Sequence, residues 1–137
     1  MKKIITLSLS LLLSGCAIIN DSIEAFLMKY DTNEYKIITE IRYDAQLYKQ
    51  SCQDAAQSKL NAISLKNKTN FFVMFTQYLP HDRDIQTASV ELDKMAKGLV
   101  DRYNRGQPGS TVFCKIKFEN LEQNAETIQK TTGGKPR

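Results

Sequence analysis

The sequence predicts an all-α domain: a small antiparallel helical bundle of about four helices, preceded by a short N-terminal one and closed by one disulfide. Three observations predict it. Apolar residues recur at steps of three and four through most of the chain beyond residue 20, the period of a helix with one buried face. Side-chain caps and glycine or proline stops bracket those segments. The two cysteines of that region, Cys52 and Cys114, lie in two of the segments. The alternative is an α+β domain with a two-stranded ribbon built from 71–79 and 111–118.

The N-terminal region follows different rules. Lys2 and Lys3 precede the apolar run Ile4 to Leu13, and Leu13-Ser14-Gly15-Cys16 closes it. A positive start and an apolar run of this length make a secretory signal, and the run is too short to cross about 30 Å of hydrocarbon. A buried N-terminal hairpin or helix is the competing reading. The leucine, the small pair and the cysteine resemble the lipobox of bacterial lipoproteins. That resemblance covers residues 1–16 and implies cleavage before Cys16, with lipid on its thiol and its new amino group. It divides the chain into a cleaved signal (1–15), a lipidated N-terminus with a short tether (16–21), a helical domain (22–132) and a flexible basic tail (133–137). Ala17 stands where an aspartate would hint at inner-membrane retention, so the resemblance implies the outer membrane of a Gram-negative bacterium, with the domain facing the periplasm.

The helical elements follow in order. Asp21-Ser22-Ile23-Glu24 is a helix start, and Ile23, Phe26, Leu27 and Tyr30 make one stripe. Asp31 to Glu34 repeats the capping pattern. Ile38, Ile41, Ala45, Tyr48, Cys52 and Ala55 then form a seam, predicting a helix over 33–62. Asn61 to Asn70 loses the period and reads as a turn. Phe71 to Leu79 fits a buried strand as well as a helix; a helix is preferred because its aromatics share one broad face. Acidic residues before Ile85, a stripe from Ile85 to Tyr103, and Gly106 with Pro108 predict a helix over 83–105. Gly98 weakens it unless another helix packs close there. Residues 111–118 alternate as a strand would. Cys114, Phe118, Leu121, Ala125 and Ile128 step as a helix over 110–131, with Ser110 as its cap.

Charge and residue chemistry narrow the function. Removing 15 of 137 residues leaves 122, with 17 basic against 15 acidic side chains once Lys2 and Lys3 are lost. A net charge near +2 argues against nucleic acid as a partner. In an exported chain Cys52 and Cys114 have one possible pairing; two free thiols or a metal pair are the alternatives. Zinc wants four close ligands, and the chain has one histidine, His81, and no Cys-x-x-Cys. His81 sits beside a proline at a helix start, Asp82 and Asp84 flank an arginine, and no glycine-rich phosphate loop occurs. These residues predict no enzyme, no cofactor and no metal.

Function therefore rests on position and surface. The expected partners are the membrane, through the lipid anchor, and an envelope protein. The phenylalanine cluster (Phe71, Phe72 and Phe75, with Tyr78) is either core or an apolar binding face. Three roles fit: a non-catalytic protein-binding or structural accessory lipoprotein, an inhibitory lipoprotein (immunity or superinfection exclusion), or a carrier of a small apolar ligand.

Overall fold

A computed structural model describes residues 29–80 and 82–137. The signal, Cys16, the short N-terminal helix and His81 lie outside the described residues. Among the described residues four helices follow one another up and down: α1 (Thr32–Tyr48), α2 (Ala55–Thr76), α3 (Arg83–Asn104) and α4 (Thr111–Gly133), with a 3-10 turn at Lys49–Ser51. The described residues contain no strand, so the ribbon alternative fails and the helical bundle stands. Packing is closest between α1 and α4 and between α2 and α3; these two pairs then close on each other.

The caps form largely as their residue types dictate. Asp31 accepts from the amides of Asn33 (2.8 Å) and Glu34 (2.9 Å), and Ser110 accepts from that of Phe113 (3.1 Å). α3 stops through a left-handed Gly106 (φ 69°), with the Gly106 amide donating to Tyr103 and the Gln107 amide to Arg102. Gly109, also left-handed, lies so close to Phe113 that an added Cβ would stand 2.6 Å from its ring. At Gly98, in contrast, no atom lies within 4 Å of an added Cβ, so no helix packs close there.

Two boundaries differ from the sequence expectation. The helix predicted over 33–62 ends at Tyr48, because Asp54 starts a new one: its carboxylate accepts from the Gln57 amide at 3.0 Å. Ser58 ties the turn to the new helix by donating to the Ser51 carbonyl at 3.0 Å. The turn predicted over 61–70 is instead the middle of α2. Its polar residues do not face water alone. Asn61 accepts from Gln57 at 2.9 Å, and Thr69, fully buried, donates to Asp93 of α3 at 2.7 Å. Further along, Thr76 and Ser89 pair at 2.8 Å in the core. Small hydroxyls with partners on the facing helix let α2 and α3 approach closely without orphaned polar groups.

The core gathers Ile38, Ile41 and Ala45 of α1, Leu65 and Phe72 of α2, Leu92, Ala96 and Leu99 of α3, and Phe118, Leu121 and Ala125 of α4. Cys52 and Cys114 are bonded, with Cα atoms 5.7 Å apart, and both are buried. The bond joins the α1–α2 connection to the first turn of α4. Cys52 thus sits in the connection and not, as the sequence reading had it, on the face of a continuous helix.

Candidate functional site

Two features stand out, a buried one at one end of the bundle and an exposed one along α2. The end in question holds the start of α1, the end of α2, the start of α3 and the end of α4.

The buried feature is ionic. Lys135, two residues past the last residue of α4, turns its ammonium inward and donates to both oxygens of Glu34 at 2.9 and 2.7 Å and to Asp82. Thr132 donates to the same Glu34 carboxylate at 3.0 Å. The Glu34 residue is fully buried and Asp82 nearly so. Burial pushes the Glu34 carboxyl above its ordinary value; the Lys135 ammonium and Thr132 pull it down without offsetting that, and Asp82 adds to the rise. For Lys135, burial alone would lower the ammonium. The bonds from Asp82 and Glu34 outweigh it and hold its pKa above the usual lysine value. Burial thus sets the direction for Glu34, and the two carboxylate partners set it for Lys135.

The tail that carries Lys135 is accordingly packed at that residue. The Tyr30 amide donates to the Pro136 carbonyl at 2.8 Å, and the Arg137 guanidinium lies 5.5 Å from the Tyr30 ring centre. This replaces the picture of a freely solvated basic tail over 133–137, because Glu34 and Asp82 from two other helices supply the partners. Glu34 reads in sequence as half of a capping pattern, and Lys135 lies in a Gly-Gly-Lys-Pro run. Neither carries a local signal of its long-range role.

The exposed feature is a stripe on α2. Leu60, Ile63, Asn67, Phe71 and Met74 recur at three- and four-residue steps, directly opposite the buried stripe of Ser58, Ala62, Leu65, Thr69, Phe72 and Thr76. Leu60 (61 %), Phe71 (56 %) and Met74 (54 %) are exposed, and Tyr78 (81 %) extends the line just past the helix. From Leu60 to Met74 the stripe runs about 21 Å at 1.5 Å per residue. Beside it, between α1 and α2, lies an open groove of about 390 Å³ lined by Ile37, Glu40, Asn67, Lys68 and Phe71. Lys68 bridges the groove to Asp44 at 2.7 Å and to Glu40 at 3.8 Å.

The aromatic cluster named from the sequence therefore divides. Phe71 and Tyr78 are exposed and Phe75 is partly buried. Phe72 is wholly buried in the core and drops out of any binding face, because one residue is a 100° turn of the helix. Sequence reasoning missed Leu60, Ile63 and Met74. Their signal was present, but α2 was divided at the wrong place and its second stripe was cut in two.

Asp82 and Asp84 are separated in role: Asp82 belongs to the buried cluster, and Asp84 is exposed in the first turn of α3. Among the described residues no group of three His, Cys, Asp or Glu is placed to hold a metal ion, and no helix is long and apolar enough to cross a membrane. No family model matches the chain, and neither the curated proteins nor the solved structures include a match to it.

Proposed function

We infer that the protein is an envelope lipoprotein, tethered through Cys16, whose helical domain presents the outer face of α2 to a protein partner as a non-catalytic accessory component. One observation carries this reading: α2 is apolar on two opposite faces, and the bundle uses only one of them. A helix needs a single apolar stripe to join a bundle; a second along its length suits an amphipathic partner helix, whose own anchors repeat at the same three- and four-residue steps. The lipobox resemblance supports attachment at the outer membrane. It also gives the face a fixed location, which a binding role without chemistry requires. An inhibitor of a toxin, phage or conjugation machine would use the same face.

The test is crosslinking and capture of the membrane-tethered protein from its own cells, with Phe71→Asp/Met74→Asp and Cys16→Ser as comparison chains. An envelope protein captured by the natural chain and lost with the α2 double variant supports the reading. Capture unchanged by the double variant refutes the assigned face. Fatty-acid labelling that persists in Cys16→Ser refutes the anchor.

A further inference from the structure

We propose that the partner on the outer face of α2 is a second copy of this chain, docked antiparallel about a two-fold axis that passes through Asn67. The inference rests on the contact role assigned to that face and deepens it by naming the partner.

The stripe is symmetric about its middle residue. Leu60 and Ile63 stand seven and four residues before Asn67, and Phe71 and Met74 stand four and seven after it. At 100° per residue all of them lie within about 40° of the Asn67 direction. α2 is one unbroken helix across the whole stretch. An axis through Asn67, set across the helix, therefore brings Leu60 against the Met74 of the second copy and Ile63 against its Phe71, at equal heights. One patch then supplies both sides of the contact, as an isologous interface requires. Eleven residues out on either side stand the small Ala56 and, just past the helix, the large and 81 % exposed Tyr78. Their sizes also complement each other.

The residue at the axis is the polar member of the stripe, and it is exposed. A residue on a two-fold axis meets itself, and a carboxamide carries both donor and acceptor, so two asparagines can bond each other reciprocally. A lone asparagine in an apolar seam gives up some stability and fixes the register. An apolar residue there would tolerate several registers; Asn67 favours one.

Charge does not oppose the pairing. Lys59, Lys66 and Lys68 of α2 are matched in number by Glu40 and Asp44 of α1 and Asp93 of α3, which border the same face. Lys68 is already bridged to Asp44, and Asp93 accepts from Thr69 of α2. The axis sets Lys66 on the same flank as its mate, but about 100° off the stripe, where salt screens the repulsion. A strongly acidic or basic partner would find no net charge to recognise. When the axis stands along the membrane normal, both Cys16 anchors lie on one side, so pairing and tethering are compatible. A stripe about 21 Å long makes a small interface of the transient kind, which calls for trapping in the membrane.

Two differently tagged full-length copies are expressed together, one with Leu60→Cys and the other with Met74→Cys, and their membranes are treated with a short bis-maleimide. Cys52 and Cys114 are bonded and buried, and the chain without an added cysteine gives the background. The expected product is a mixed-tag pair, several-fold more abundant than the pair from two Leu60→Cys copies. Asn67→Asp in both copies sets two carboxylates at the axis and should reduce it several-fold. The helical circular dichroism signal and an intact Cys52–Cys114 bond establish that each variant is folded. Absence of the mixed pair, or equal yields of the two pairs, overturns the proposal. An excess of the Leu60–Leu60 pair means parallel association and overturns the antiparallel axis, as does a mixed pair that Asn67→Asp leaves unchanged. If the pair is absent while Phe71→Asp/Met74→Asp still abolishes capture of a different envelope protein, the α2 face stands and its partner is not this chain. If that capture is also unaffected, the contact role of the face falls as well.

Discussion

Replacing Lys135 with methionine removes the one cation shared by Glu34 and Asp82 while keeping most of the side chain's volume. In the folded protein Lys135 is 9 % exposed, Glu34 fully buried and Asp82 4 % exposed, so water cannot take over the lost bonds without opening the end of the bundle. Breaking a buried ion pair by removing one partner costs about 3–5 kcal/mol. Here two carboxylates are left facing each other, which places the expectation at the upper part of that range. Against a total stability of about 5–15 kcal/mol for a domain of this size, the loss is large. Urea unfolding followed by the helical circular dichroism signal measures it. Adding Glu34→Gln to Lys135→Met should recover part of the loss, since one stranded charge is gone. The sign with pH follows from the raised lysine pKa. Its stabilising contribution is complete below the ordinary lysine value of about 10.4 and is lost as pH rises through the raised folded value. The gap between wild type and Lys135→Met should therefore close at strongly alkaline pH. The raised Glu34 pKa has the opposite consequence: as pH falls, the folded state takes up that proton before the unfolded chain does, so Glu34 by itself does not destabilise the fold on mild acidification. A loss below about 1 kcal/mol for Lys135→Met, the range of an exposed pair, would refute the packed tail.

Three further outcomes are expected. Cys52→Ala/Cys114→Ala should lower stability by about 4 kcal/mol, the chain-entropy value for closing a loop of 62 residues, measured against wild type by urea unfolding. Gly98→Ala should raise stability by about 1 kcal/mol, because the site is open and helical; a melting temperature that falls would contradict the free space found there. The neighbours Phe71 and Phe72 should behave in opposite ways: Phe72→Ala should cost about 3–5 kcal/mol through the cavity it leaves, whereas Phe71→Asp should stay within about 0.5 kcal/mol as an exposed change. Equal losses at the two positions would mean that the second stripe of α2 is not on the surface.

Much of this architecture was legible from local chemistry. The seam from Ile85 to Tyr103, with Gly106 behind it, located α3 to within a residue, because cap, period and stop all act within a few residues of one another. Ser110 and the four-three steps from Cys114 located α4, and the structure excluded the strand alternative that the alternation over 111–118 had left open. The pairing of Cys52 with Cys114 followed from there being no other cysteine beyond Cys16. A capping pattern was also present at Asp54-Ala55-Ala56-Gln57. It went unread because the seam continues in register through Tyr48, Cys52 and Ala55 although the helix does not.

Other features depend on residues distant in the chain. Thr69 looks like a turn residue by composition, and it sits buried within a helix because Asp93, 24 residues further on, accepts from its hydroxyl. Lys135 looks like part of a solvated tail, and it is buried because two carboxylates lie 53 and 101 residues away in sequence and meet only when α1, α3 and α4 converge. The phenylalanines looked like one face until packing chose Phe72 for the core and left Phe71 outside. The sequence by itself determined where helices can begin, repeat and end, since those are short-range effects of backbone hydrogen bonding and apolar period. Only the tertiary structure decided which polar groups are buried and which apolar ones are left exposed, because desolvation of either kind is set by the partner that arrives from elsewhere in the chain.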